Sequence, residues 1–368
     1  MKILHVYRTC YPETNGGIEQ VIRNICVGTT ALGCTSKVLS LTNNKKQVIH
    51  VDDTEVTLCK KNFDISSNGF SIDFFTEYMR LSQWADVIHF HYPWPSGDIA
   101  ALLTINKPKI VTYHSDIVKQ KVLKILYKPL ETIFLNNVNV LVATSPQYAK
   151  SSKNLQNYAK KVETIPLSID ESAYPAATKD VLDKWEKEIG RGFFLFVGVL
   201  RYYKGLKYLI EAAKLSNLPI VIAGDGPERK ELERLIALYK LDNVKMVGFI
   251  EEADKVALHL LSKAFVFPSH LRSEAFGVSL LEAQMLKKPI ISCDIGTGSS
   301  YVNKNNETGL IIQPANAEQL AEAMQKLHND EKLRNTLGEN ARKRFEEKFT
   351  TERSSKSYVA LYNRLVKK

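Results

Sequence analysis

Short apolar runs alternate with amphipathic stretches along nearly the whole chain. Residues 3–7, 38–41, 56–58, 85–91, 110–113 and 138–143 are rich in Val, Ile, Leu and aromatic side chains and end in polar or proline-bearing turns, the pattern of buried strands. Between them the spacing turns helical. Ile18, Val21, Ile22 and Ile25 share one helix face, and Thr144-Ser145-Pro146 offers a capping residue before proline. The pattern restarts in the second half. Runs at 193–197, 219–223, 244–249, 264–267, 290–293 and 309–312 alternate with helical spacings such as Leu206, Leu209, Ile210 and Ala213. The tail from Ala317 is helical in pattern, with Tyr358, Leu361, Tyr362 and Leu365 on one side. Two consecutive strand–helix series predict an α/β protein of two Rossmann-like, doubly wound domains.

At 368 residues the chain exceeds the size at which one core keeps growing, which agrees with two domains. The expected divisions are 1–170, 171–350 and a terminal helix at 351–368. No long uncharged apolar run marks a membrane span or secretory signal. Five cysteines, odd in number and without CxxC spacing, argue against a disulfide framework or structural zinc, so a cytoplasmic location is expected. The net charge of +10 favours anionic partners without choosing among them. The basic residues are dispersed and no nucleic-acid signature accompanies them, so no nucleic-acid partner is expected.

Candidate chemistry gathers where strands run into loops. After the run at 264–267 come Glu274, Gly277 and then Glu282, eight residues beyond the first acid and inside an apolar helix. This order places backbone N–H groups and two carboxylates at the carboxyl edge of a sheet, a place for a polar ligand. By local physics alone, Glu274 reads equally as an ordinary helix-start acid and Glu282 as a solvated one. Arg201 and Lys204, on a glycine-bounded loop opening a helix, form an anion site suited to a diphosphate. Gly224 and Gly226 permit a tight turn after a strand. Gly16-Gly17 opens a helix after the first strand but lacks the GxGxxG dinucleotide fingerprint. His89 and His91 share a strand face; as metal ligands they would need a third partner, and packing or cleft lining is the preferred role for His91. His114 follows a strand directly.

The stretch from Glu274 to Glu282, with its Phe276-Gly277, resembles the E-x7-E motif of the family 4 retaining glycosyltransferases of GT-B fold. Gly16-Gly17-Ile18-Glu19 is similar to that family's first loop, and Gly224-Asp225-Gly226-Pro227 to its Gly-x-Gly-Pro loop. The resemblance implies two domains facing a cleft and a C-terminal helix crossing back to the first domain. It implies that Glu274 faces the transferred sugar and Glu282 holds the ribose. It also implies that Ala275, Phe276, Gly277, Val278 and Ser279 line the donor, that Phe249 and Ile250 hold the base, and that Gly16 and Gly17 lie near the pyrophosphate. Asn15, Glu19 and His91 fall on the acceptor side, and His114 is set against the sugar's outer hydroxyls. The family's Gly-Arg is Gly198-Val199 here, with Arg201 the proposed substitute, and Leu167-Ser168 stands where Asn-Gly is usual.

The run from Gly198 to Gly205 looks like that of bacterial surface-polysaccharide, O-antigen-type mannosyltransferases. The implied reaction moves mannose from GDP-mannose to a lipid-linked saccharide with retention and without a metal or other cofactor. UDP-glucose and UDP-N-acetylhexosamine are the alternative donors; a sugar-nucleotide epimerase, a phosphorylase or a non-catalytic scaffold is the alternative class. Lys119, Lys121, Lys124 and Lys128 are interleaved with Val122, Leu123, Ile125 and Leu126. Such a helix suits either an anionic bilayer or ordinary packing on a sheet, the former giving a peripheral place on the inner face of the cytoplasmic membrane.

Overall fold

A computed structural model describes residues 1–14, 16–65, 68–117 and 121–367, with backbone only at residues 65 and 121–124. Its strands are β1 (Lys2–Val6), β2 (Thr35–Thr42), β3 (Gln47–Val51), β4 (Thr54–Lys60), β5 (Phe63–Ile65), β6 (Asn68–Phe70), β7 (Val87–Tyr92) and β8 (Lys109–Tyr113). They continue with β9 (Val140–Ala143), β10 (Val162–Thr164), β11 (Phe194–Val197), β12 (Ile220–Ala223), β13 (Val244–Gly248), β14 (Ala264–Phe267), β15 (Ile290–Cys293) and β16 (Gly309–Ile312). The chain divides into two compact units, Met1–Ser168 with Thr351–Lys368, and Ile169–Thr350.

In the first unit an eight-stranded sheet runs β10-β9-β8-β7-β1-β2-β4-β3, parallel throughout except for the antiparallel β3–β4 pair. Its central strands are covered on both faces. All six residues of β7 and all five of β8 are buried, which is why they read as near-continuous apolar runs. The helix Gly17–Thr30 buries Val21, Ile22, Ile25 and Cys26, the face set by their spacing. Ser145 Oγ accepts from the Tyr148 N–H at 3.0 Å and caps the helix that Pro146 opens.

The second unit has a six-stranded, wholly parallel sheet in the order β13-β12-β11-β14-β15-β16. Phe194, Phe196, Ile222 and Val266 pack with Leu209 and Ile210 of the helix Leu206–Ser216 and with Leu320, Met324 and Leu327 of the helix Ala317–Asn329. β13 ends at Gly248, one residue short of the run seen in the sequence. Gly248 has φ of +74° there, and Phe249 beyond it is 75% exposed.

The helical tail is interrupted by its own capping chemistry. Asp330 closes the helix Ala317–Asn329 and caps the next, Glu331–Lys348, by accepting from the Leu333 N–H at 2.8 Å. The last helix, Thr351–Val366, belongs to the first unit. It buries Tyr358, Leu361, Tyr362 and Leu365, the four residues placed on one side by the sequence pattern.

Candidate active site

β11, β12, β13 and β14 of the second unit are parallel, so their carboxyl-end loops gather at one sheet edge. Glycines let these loops touch backbone to backbone. A Cβ on Gly224, φ +134°, would stand 2.0 Å from the Gly198 carbonyl oxygen, and one on Gly226 would stand 2.6 Å from that of Leu200. The loops are tied further by Leu200 N–H to Asp225 O at 2.9 Å and Gly224 N–H to Gly248 O at 2.6 Å.

Arg201 leads into a single 3-10 turn, Tyr202–Lys204, which Gly205 ends in the left-handed region at φ +71°. A Cβ on Gly205 would lie 2.1 Å from the Pro268 carbonyl oxygen, so only glycine lets this turn press against the end of β14. That approach places Lys204 Nζ 2.5 Å from Glu274 Oε2, with each side chain about a tenth exposed. Ser269 Oγ donates to the same oxygen at 3.3 Å, and the ammonium lies 4.8 Å from the centre of the Phe267 ring. Arg201 is exposed at the mouth of this turn. Gly205→Ala is expected to move the turn off Pro268, lowering the melting temperature by the equivalent of about 1–3 kcal/mol. It should also slow any turnover that depends on Lys204 at least about tenfold. Differential scanning calorimetry and initial rates check both, and unchanged values would free Lys204 from dependence on this glycine.

Gly277, φ +89°, starts the helix Val278–Met285, where a Cβ would strike Phe267 Cζ at 2.6 Å. Ala275, Phe276, Val278 and Ser279 form this entrance. Ala275 O accepts from Gly298 N–H at 2.8 Å, and Phe276 is buried with its ring edge-on to Phe349. One turn into the helix, the buried Glu282 uses Oε1 twice, accepting from Lys255 Nζ at 2.7 Å and Tyr174 Oη at 2.9 Å. Burial alone would lower the Lys255 pKa, but Glu282 and Glu252 reverse this and hold it above the ordinary lysine value. Burial, then Glu282, drives the Tyr174 phenol upward. Both acids are thus buried and lysine-bound, Glu274 in the loop that follows β14 and Glu282 within the helix Val278–Met285. Such groups hold negative charge in a fixed geometry while leaving one oxygen of each carboxylate uncommitted to its lysine. Lys255, Tyr174 and Ser269 are the side-chain partners of the two carboxylates, and no motif in the sequence marks them as such.

The first unit holds the remaining candidates. Gly16 precedes the helix beginning at Gly17, and Glu19 in its first turn accepts from Thr14 Oγ1 at 2.8 Å. Asn15 lies outside the described residues. His91 is an interior residue rather than a lining one. Its Nε2 meets His5 Nδ1 at 3.2 Å and its Nδ1 meets His114 Nε2 at 3.0 Å, so no nitrogen remains for an acceptor. Both ring nitrogens are thus spent on neighbouring histidines inside the first unit.

His5, His89 and His91 bring ring nitrogens within 4.8 Å of one another, a grouping compatible with a metal ion. Those nitrogens already have other partners. His89 bonds Tyr362 Oη at 2.8 Å and Thr112 Oγ1 at 2.7 Å, and His91 is committed at both ends, which leaves His5 Nε2 alone. Burial keeps all three imidazoles far below their usual pKa, with His5 at about 3.

The family model "Glycosyltransferase Family 4" matches residues 15–173, and "Glycosyl transferases group 1" matches 179–344. The chain is 43% identical to D-rhamnosyltransferase WbpZ of Pseudomonas aeruginosa, covering 95% of this chain and 92% of the relative. It is 42% identical to the O-antigen chain mannosyltransferase C of Escherichia coli, over 100% and 99% of the two chains. Among solved structures, a sucrose-phosphate synthase from Thermosynechococcus elongatus superposes with TM-score 0.80 at 21% identity, covering 99% of this chain and 98% of the other. Anabaena HepE in complex with UDP and glucose gives 0.79 at 17%, with 99% of both chains covered. Matched by family models in both units and by full-length relatives above 40% identity, the chain belongs to the family 4 glycosyltransferases, built on the GT-B fold.

Proposed function

We propose that the protein is a retaining hexosyltransferase that moves mannose from GDP-mannose to a lipid-linked saccharide during O-antigen-type surface-polysaccharide synthesis. The observation that carries the reading is the buried Lys204–Glu274 pair at the end of β14, in a chain 42% identical to an O-antigen chain mannosyltransferase. Lys204 has three N–H donors, so it can keep Glu274 and still reach a phosphate oxygen. Arg201 adds a second cation, and together they offset diphosphate charge as the glycosidic bond breaks. Glu274 aligns the sugar, and His114 hydrogen-bonds its outer hydroxyls.

Glu282 receives a ribose hydroxyl on Oε2, since Lys255 and Tyr174 occupy Oε1. Gly224, Gly226, Phe249 and Ile250 border the nucleotide; Gly16 and Gly17 serve the pyrophosphate, and Asn15 and Glu19 serve the acceptor. The chemistry assigned to these side chains is positioning and electrostatics, with no resident metal or other cofactor.

A second donor follows from the 43% relative that is a D-rhamnosyltransferase. D-rhamnose is mannose without O6, so a site that makes few contacts to O6 accepts both. Calorimetric titration with the GDP-linked forms of the two sugars, and with UDP-glucose and UDP-N-acetylhexosamine, tests the assignment. Preferential binding of a uridine donor would refute it.

The acceptor's lipid gives the enzyme a reason to dock on the inner face of the cytoplasmic membrane. Among the described residues, no helix is long and apolar enough to cross a bilayer. In the helix Lys121–Asn137, Ile125 and Leu126 are 73% and 75% exposed, while Lys128 is drawn aside to Glu131 at 2.7 Å. Lys119 lies outside the described residues. Each basic residue near an anionic surface contributes about 1 kcal/mol. Replacing Lys119, Lys121, Lys124 and Lys128 by glutamine is expected to release the protein from anionic vesicles at low salt. Equal co-sedimentation of both forms would reject this segment as the anchor.

A further inference from the structure

We propose that His5 and His91 form a hydrogen-bonded relay that fixes His114 as the neutral tautomer protonated on Nδ1, making it a donor toward an oxygen of a sugar. The sugar itself rests on the reading of His114 given above; the relay rests on geometry. His5 Nδ1 lies 3.2 Å from His91 Nε2, and His91 Nδ1 lies 3.0 Å from His114 Nε2. The three rings step from β1 through β7 to the residue after β8, each no more than 5% exposed.

Three neutral imidazoles carry three N–H protons, and the two contacts consume two of them. The third stands at one end of the row. At the inner end, His5 Nε2 is buried and has no partner among the described residues. An orphaned N–H in the interior is a rarer and costlier state than an orphaned acceptor. At the outer end, His114 Nδ1 is not among the buried nitrogens that lack a partner. The proton therefore sits outside, and the row reads His5 Nδ1–H to His91 Nε2, His91 Nδ1–H to His114 Nε2, and His114 Nδ1–H outward.

Neutrality keeps the count at three. Burial holds His5 and His114 at about 3 and His91 well below the usual imidazole range. Among the described residues, His89 on β7 and Tyr7 just beyond β1 lie beside the row, and Tyr358 and Tyr362 of the terminal helix lie beyond His89. The His5 and His89 rings are 4.8 Å apart, and Tyr7 lies 6.2 Å from His91 and 6.5 Å from His114. His89 is held apart from the row by Tyr362 and by Thr112, which also meets Tyr358 Oη at 3.1 Å. An aromatic or a lone buried histidine would fill the same space; the row supplies direction. His5 and His91 are thus positioning residues for His114.

Long-range 1H–15N correlation spectra of the full chain labelled at its eight histidines read the tautomers directly, with His114 assigned by the signal lost in His114→Gln. The expected result is a protonated Nδ1 and a bare Nε2 that do not titrate between about pH 6 and 8, around the free imidazole value. An Nε2-protonated or titrating His114 overturns the relay. Two variants sharpen the test. His5→Asn keeps a side-chain N–H near the Nδ1 position and should preserve the tautomer. His5→Leu removes it and should let His114 populate both forms, lowering kcat on the order of tenfold, the worth of one hydrogen bond, with donor KM unchanged. An unaltered His114 spectrum in His5→Leu also overturns the relay. Should either variant unfold, the wild-type spectrum decides. Full transfer by His114→Phe, beside the expected wild-type spectrum, would sink the sugar contact alone.

Discussion

Alanine in place of Lys204 is expected to lower kcat/KM by about 10²–10³, the usual cost of removing a preorganised charge from a site where charge develops. Two losses combine. In the proposed reaction the departing diphosphate loses a cation, and Glu274, with a side chain only 10% exposed, keeps among the described residues the long side-chain contact from Ser269 at 3.3 Å. Stranding one member of a buried pair destabilises by about 3–5 kcal/mol, so the variant should also melt at lower temperature. Lys204→Met puts a long apolar side chain beside Phe267 and Tyr203, the two rings near which the ammonium lies, and should recover packing without recovering rate. Arg201→Ala, at an exposed position, should lose about ten- to a hundredfold in donor affinity with little change in stability. Glu282→Gln should weaken nucleoside diphosphate binding while Glu274→Gln lowers turnover. Steady-state kinetics beside calorimetry with the diphosphate separate these effects. Normal turnover in Lys204→Ala would remove the pair from the mechanism.

The second large effect is on stability. His5, His89, His91 and His114 in the first unit and His259 in the second are buried and neutral, because desolvation pushes each far below the ordinary value of 6.5. Below pH 6.5 the unfolded chain takes up protons that the folded chain refuses, so stability falls as pH drops from 6.5 toward about 3. Each group contributes about 1.4 kcal/mol per pH unit in that window. Asp98 opposes them. Its carboxyl is raised by burial, and the folded chain holds that proton where the unfolded chain releases it. One acid does not offset five imidazoles. A typical domain reserve of about 5–15 kcal/mol would be consumed within a few pH units. The first unit, with four of the five, should unfold first. Calorimetric scans from pH 7.5 to 5 should show a steep fall in its transition temperature, and a flat profile would mean that the histidines protonate in place.

Much of this fold was legible because parallel strands buried on both faces leave unbroken apolar runs, as β7, β8 and β14 do. The face of the last helix was equally plain from Tyr358, Leu361, Tyr362 and Leu365. β3 carries little such signal, since its five residues are exposed or half-buried at a sheet edge. The antiparallel pair of β5 and β6 is too short to announce itself. For the site, Glu274 and Glu282 stood out because they are eight residues apart on one loop–helix junction. Lys255 and Tyr174 did not, lying 27 and 108 residues from the carboxylate they hold. Nothing local in the sequence marks such partners. His5 was hidden for a related reason: a single polar residue in an apolar strand gives no hint of the rings that the neighbouring strands bring to it.

The proposed reaction, retaining hexosyl transfer from a guanosine diphosphate sugar, is read from the anomeric configuration of its product. Purified protein would be incubated with GDP-mannose and a short lipid-linked saccharide, and the product's new linkage read from its one-bond 1H–13C anomeric coupling. An α-mannoside is expected from the α-linked donor, formed about 10²–10³ times more slowly by Lys204→Ala. A β-mannoside, or release of free mannose with no acceptor product, would contradict it.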